Sequence, residues 1–282
     1  MTTRTIHPAM DPTQELAAFL RSRREGLDPD RLGLPSHRRA RRTPGLRREE
    51  VAELAGVSTD YVVRLEQGRG LRPSAEVLAA LARALRLDAG ERDYLFDLAG
   101  HRRPGTTGGP ASDAAPSLAR LVGDLSPLPA MLLDHRYDIL AWTPEMARLL
   151  PDFDAVPPAR RNAMWLCLLH PAMRGFYADR EQVLRDGIAH LRAAWAAHPE
   201  DRELADLIAE FVKEDEDFAR LWSEREVGVN GRGRKLLRHP VAGAITVDFE
   251  VLQPLQDPGL RLLVYRPADE ESRAALDRLC AR

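Results

Sequence analysis

The stretch Arg48-Glu49-Glu50-Val51-Ala52-Glu53-Leu54-Ala55-Gly56-Val57-Ser58-Thr59-Asp60-Tyr61-Val62-Val63-Arg64-Leu65-Glu66-Gln67 constrains this chain more than any other. Val51, Leu54 and Ala55 recur at the spacing of one helical face, and Val62 and Leu65 give a second helix its own inner face. Gly56 stands between them, where a chain that reverses sharply favours a residue without a Cβ. Ala52 is small where the second helix has to come close. Ser58 has the chemistry of an N-cap, since its hydroxyl can accept a backbone N–H that the helix start leaves unpaired. The pattern predicts two short helices folded against each other by a tight turn.

The chain's 282 residues suffice for two domains, each able to bury a core. Hydrophobic residues at 44% and charged residues at 30% describe an ordinary globular composition. No run approaches the roughly 20 apolar residues of a membrane helix, and Met1 to Leu20 lacks the apolar core of a secretory signal. Cys167 and Cys280 form neither a zinc-like spacing nor a disulfide framework, so a reducing cytoplasm is expected. The formal charge of −2 conceals a local asymmetry, because Arg38, Arg39, Arg41, Arg42, Arg47 and Arg48 crowd together just where the two-helix stretch begins. Lysine occurs only at 213 and 235.

Before that stretch, a helix is predicted from about Thr13 to Glu25, with Leu16, Phe19 and Leu20 on one face and Arg21, Arg23 and Arg24 on the other. Gly26 and Pro29 end it, and Asp28 to Gly45 reads as an exposed basic loop. After it, Gly68-Arg69-Gly70 breaks the chain. Pro73-Ser74 then opens a fourth helix carrying Val77, Leu78, Leu81, Leu85 and Leu87, and a fifth runs from Ala89 to Ala99 with Tyr94, Leu95 and Leu98 inside. Residues 1–100 are thus expected to form an all-α domain, 101–117 a linker rich in Pro, Gly, Ser and Thr, and 118–282 a second domain. That second domain opens on a hairpin, Met131 to Asp134 and Tyr137 to Trp142, and a helix-rich middle begins at Thr143-Pro144. Between Ala159 and Glu226, helices carry Trp165, Leu168 and Leu169, then Val183, Leu184, Ile188 and Leu191, then Leu204, Leu207, Ile208 and Phe211, and finally Leu221 and Trp222. From Gly231 the period is two, with Ile245, Val247, Phe249 and Val251 alternating with polar residues. Arg261 to Arg266 adds a strand and a short helix closes the chain. The order predicts an α+β domain: one antiparallel sheet with helices on one face.

Five short helices with the sharp turn between the second and third resemble the Cro/repressor-like (XRE-type) helix-turn-helix regulators of bacteria. The order of the second domain resembles a PAS-like sensor. More narrowly, the runs Leu133-Asp134-His135-Arg136-Tyr137-Asp138-Ile139-Leu140-Ala141-Trp142, Arg161-Asn162, Leu169-His170-Pro171, Phe176-Tyr177-Ala178-Asp179, Arg238-His239-Pro240 and Thr246-Val247-Asp248-Phe249-Glu250 resemble the MmyB-like ligand-binding domain. Thr143 departs from the Asn expected after the tryptophan. The resemblance implies a multidomain, sequence-specific transcription regulator that binds double-stranded DNA as a homodimer and takes a hydrophobic, fatty-acyl-like ligand in its second domain. The rival reading makes the second domain a ligand-free protein-interaction or dimerisation module.

In a Cro-like regulator the second helix of the motif enters the major groove. That designates Ser58, Thr59, Asp60, Tyr61, Arg64 and Gln67, with Arg39, Arg42, Arg47, Arg48, Arg69 and Arg72 placed to meet phosphates. Arg64 suits guanine and Gln67 adenine. Alternatives stay open: Asp60 can stabilise the helix start, Arg64 can pair with Asp60, Gln67 can finish the helix and Tyr61 can pack. For the ligand, Trp142, Trp165, Leu168, Phe176, Trp222 and Phe249 are candidate apolar walls, although such stripes are also ordinary core. Arg161, Asn162, Arg174 and Tyr177 are candidates to hold a carboxylate or, equally, to satisfy buried backbone groups. No phosphate loop, nucleophile elbow or zinc-protease motif is present, and Cys167 with His170 offers only two potential metal ligands, so neither catalysis nor a metal is expected.

Overall fold

The computed structural model describes residues 11–29, 45–69, 72–101, 114–228, 230–255 and 257–281. It divides into two compact units, 1–102 and 103–282.

The first unit consists of α1 (Pro12–Gly26), α2 (Arg48–Ala55), α3 (Thr59–Glu66), α4 (Ala75–Ala84) and α5 (Ala89–Leu98). Each start has a local cause. Asp11, Ser58, Ser74 and Asp88 accept backbone N–H groups at the heads of α1, α3, α4 and α5. Leu16, Phe19 and Leu20 of α1 are buried, as are Val51, Val62, Leu65, Leu78, Leu81, Tyr94 and Leu95 of the other four helices. Phe19 and Tyr94 pack edge to face at 5.1 Å, and the Tyr94 hydroxyl donates to Glu15 at 3.1 Å. Gly56 ends α2 at φ 67, the left-handed conformation a tight turn requires. Two side chains depart from the predicted faces. Leu54 is 44% exposed, because α2 turns Val51, Ala52 and Ala55 inward and small Ala52 lets α3 approach. Arg24, expected to face outward, is buried.

The second unit contains α6 (Ala114–Asp124), β1 (Ala130–Leu133), β2 (Ile139–Trp142), α7 (Pro144–Leu149), α8 (Ala163–Leu169), α9 (Arg180–Ala197), α10 (Arg202–Glu214), α11 (Glu216–Glu224), β3 (Arg232–His239), β4 (Gly243–Leu252), β5 (Arg261–Pro267) and α12 (Glu270–Cys280). The sheet order is β2-β1-β5-β4-β3, and every neighbouring pair is antiparallel. Side chains alternate as the pleat demands. Met131 and Leu133 enter the main core with Leu237, Ile245, Val247, Phe249 and Tyr265. Ala130 and Leu132 point the other way, to Val122, Leu260 and Leu262.

That second cluster overturns the expectation of helices on one face only. Helix α6 starts at Ala114, inside the segment expected to be linker, and lays Leu118, Val122 and Leu125 on the opposite side of β1 and β5. Pro116 falls in its first turn, where proline costs no hydrogen bond. Thr143, in place of the expected Asn, is fully buried and caps α7. Its Oγ1 accepts from Ala130 N at 3.0 Å and from Met146 N at 3.3 Å, and donates to the Leu128 carbonyl at 2.9 Å.

The β1–β2 turn is anchored from outside the sheet. Asp134 Oδ1 accepts from Arg136 N and Asp138 N, both at 2.8 Å, and His135 Nε2 meets Asp201 Oδ2 at 2.6 Å. His190 of α9 lies edge-on to Tyr137 at 4.9 Å between ring centres.

Candidate nucleic-acid interface and ligand groove

Helix α3 is divided lengthwise. Val62, Leu65 and Glu66 are buried, while Ser58, Thr59, Asp60, Arg64 and Gln67 are exposed and Tyr61 and Val63 are half-buried. Ser58 Oγ accepts from Tyr61 N at 3.1 Å, which fixes where the exposed row begins. Gln67 is the C-cap, and Gly68 closes the helix at φ 64 with Arg69 N donating to the Arg64 carbonyl at 3.2 Å. Burial raises the Tyr61 phenol above its ordinary range. Among the described residues no ion pair joins Asp60 to Arg64.

The helix is held at its inner end by charge. Arg24 of α1 grips Glu66 through two hydrogen bonds, Nε to Oε1 at 2.6 Å and Nη2 to Oε2 at 3.1 Å, and its Nη1 reaches the Leu46 carbonyl at 2.9 Å. Arg48 Nε meets Glu66 Oε2 at 2.7 Å, and Arg21 donates to the Glu66 carbonyl at 2.6 Å. Burial disfavours the Arg24 cation, but the Glu66 carboxylate more than offsets it and raises its pKa. Arg48, expected against phosphate, is exposed and also ties α2 to α3 through this contact. Arg47 lies half-buried, 3.3 Å from Glu49, while Arg69 and Arg72 are exposed. Arg39 and Arg42 lie outside the described residues.

In the second unit a groove of about 410 Å³ separates the first turns of α9 from β3. Tyr177, Phe249 and Lys235 line one side, with Gly233 and Leu236 beside them, and Gln182, Val183 and Asp186 line the other. Gly233 keeps the groove open: a Cβ there would lie 2.9 Å from Phe249 Cε1, its partner across the β3–β4 register.

Residues 114–279, more than half of the chain, match the family described as the MmyB-like transcription regulator ligand binding domain. The chain belongs to the MmyB-like transcription regulators. A second match, to a helix-turn-helix domain, covers residues 15–95, from within α1 to within α5. No curated protein matches the chain. Together the two matches define this MmyB-like regulator as a DNA-binding transcription regulator with a C-terminal ligand-binding domain, families of regulation rather than of catalysis. No helix among the described residues is long and apolar enough to cross a membrane.

Of the ligand contacts expected from sequence, Tyr177 and Phe249 line the groove of this MmyB-like regulator, and the others do not. Asn162 is fully occupied elsewhere. Its Nδ2 donates to the Arg136 carbonyl and Asp138 Oδ1, both at 2.8 Å, and its Oδ1 accepts from Met164 N and Trp165 N, both at 3.0 Å. Arg161 stacks over Trp142 at 4.9 Å and Phe153 at 5.4 Å, so this trio packs on itself. Trp222 stacks on Phe218 and carries the Arg192 guanidinium 4.2 Å from its ring centre. Trp165 lies beneath Arg160 at 5.4 Å, Leu168 is half-buried on α8, Phe176 belongs to the main core and Arg174 is exposed. Cys167 is buried, which pushes its thiol up to about 11. Lys235, Gly233, Gln182 and Val183 were missed from sequence. A signal was present for two of them: a rare lysine in an arginine-rich chain, and a glycine inside a strand.

Proposed function

We propose that this regulator reads an operator with the exposed row of α3 and that a hydrophobic, fatty-acyl-like ligand in the groove between α9 and β3 modulates it. The observation that carries the reading is the division of α3, with Thr59, Asp60, Arg64 and Gln67 outward over buried Val62 and Leu65. Arg64 offers two N–H groups in the geometry of guanine O6 and N7. Asp60, in the first turn, favours the positive end of the helix dipole and shapes the surface around the Arg64 contact. Ser58, Thr59 and Tyr61 border the helix start, and Gln67 its end. Arg39, Arg42, Arg47, Arg69 and Arg72 supply phosphate contacts, which position without reading sequence. Two copies reading half-sites about one helical turn apart complete the operator complex. Ligand acts by binding one of two arrangements of the protein better than the other, since equal affinity would shift nothing. Genome-wide footprinting with and without dodecanoate tests the whole reading. Bound sites sharing a paired motif, with occupancy that changes on ligand, support it; occupancy indifferent to every acyl ligand leaves a DNA-binding protein without the sensor.

A further inference from the structure

The carboxylates of the groove are already engaged: Asp179 Oδ1 accepts from Gln182 N at 3.1 Å, and Asp186 Oδ1 accepts from Gln182 Nε2 and Asn230 Nδ2, both at 2.9 Å. Of its other cations, Arg234 pairs with Asp248 at 2.8 Å and Arg232 is exposed, whereas Lys235 is half-buried. Lys235 pairs with no carboxylate among the described residues. Its Nζ sits instead over three ring faces, 4.4 Å from the centre of Phe249, 5.6 Å from Tyr177 and 5.8 Å from Tyr265. Odd positions of β3 face the main core, as buried Leu237 shows, so the side chain of Lys235 lies against the aromatic floor at the edge of the groove. Gly233, two residues away on the same face, leaves the approach to it open.

We infer that this floor is an anion subsite and that Lys235 selects the head group of the ligand, a single carboxylate whose apolar chain runs out past Val183. The inference rests on the groove being the ligand site proposed above. A ring face attracts an ammonium only weakly, by about 0.5–1 kcal/mol at an exposed site. An ionised partner makes a shorter, charge-assisted hydrogen bond roughly twice as strong as a neutral one, so an arriving carboxylate displaces the rings as the partner. Burial raises the Tyr177 phenol well above its ordinary range, so the ring beneath Lys235 stays neutral. A groove of about 410 Å³ lies within the roughly 300–1,000 Å³ usual for small-molecule sites.

Titration calorimetry on the full chain, below the critical micelle concentrations, compares dodecanoate, methyl dodecanoate and dodecyl phosphate on the wild type, Lys235→Met and Lys235→Arg. The wild type is expected to bind dodecanoate about tenfold more tightly than its methyl ester, the scale of one charge-assisted hydrogen bond. Lys235→Met removes that preference and leaves ester affinity within about twofold, because its apolar volume is similar, while Lys235→Arg retains the preference. A carboxylate preference that survives Lys235→Met overturns the assignment, and so does a wild type that binds ester as tightly as acid. In both cases the groove remains an apolar ligand site. Tighter binding of dodecyl phosphate than of dodecanoate overturns the carboxylate head, and a wild type that binds none of the three removes the inference and the proposed ligand site together.

Discussion

Arg24 and Lys235 are both cations drawn into the protein, and they sit there on opposite terms. Arg24 is 4% exposed and locked to Glu66, itself 2% exposed, by a two-pronged contact, with the Leu46 carbonyl taking a further N–H. Lys235 is half-buried with ring faces for neighbours. A buried pair of opposite charges that satisfies its own hydrogen bonds leaves nothing for a ligand, and its role is to hold α1, α2 and α3 at one angle. A cation without an anionic counterpart can be recruited by whatever supplies one. The difference teaches where to look for function in an arginine-rich chain: not at cations locked to a carboxylate but at those, like Lys235, that are not.

Glu66→Ala should break the comparison most severely. It leaves buried Arg24 with only the more exposed Glu25 as a carboxylate partner, and the N-terminal unit should lose about 3 kcal/mol in urea unfolding. Replacing Arg24 and Glu66 together by Met and Leu should restore most of that loss. If the single change costs as little as a surface pair, the clamp is not what holds the helices.

Next in size is Arg64→Ala, which should weaken operator binding by about 1–3 kcal/mol and relax the requirement at one base pair. Arg69→Ala should weaken all sequences alike and flatten the salt dependence. Equal base profiles for wild type and Arg64→Ala in a substitution series would remove Arg64 from base reading.

A smaller effect depends on pH. His190 is held well below its ordinary pKa, first by burial and then by Arg261 and His135, and burial lowers His239 as well. Each binds a proton more readily unfolded than folded. Their contribution is therefore fully present above the unfolded value of about 6.5 and declines as pH falls toward the folded values, by at most about 1.4 kcal/mol per pH unit per histidine. Asp134 is shifted up, by burial and by Asp138, and acts in the opposite sense only in the carboxylate range. Unfolding free energies between pH 7.5 and 5.5 should fall with acid in the wild type, and less steeply in His190→Phe.

The smallest change expected is the stability cost of Lys235→Met, within about 1 kcal/mol, because only cation–π attraction is lost. A cost comparable to that of Glu66→Ala would mean that Lys235 is architecture after all.

The sequence by itself determined the local features: the caps at Ser58 and Ser74, the left-handed turn at Gly56, the five helices, the hairpin closed by Asp134 and the alternation of Ile245, Val247 and Phe249. Each depends on residues close in the chain, so spacing and residue type suffice to show it. The exposed row on α3 was legible for the same reason. Tertiary structure decided which side chains meet across long separations. It took Arg24 out of the solvent-facing set and tied Arg48 to α3 by bringing Glu66 to them, and it placed α6 on the second face of the sheet, where the backs of β1 and β5 needed cover. Tertiary structure also assigned Asn162 and Trp142 to internal packing and left Tyr177, Phe249 and Lys235 around a groove. A pocket is space left between elements distant in sequence, and no local pattern encodes what fails to fill it.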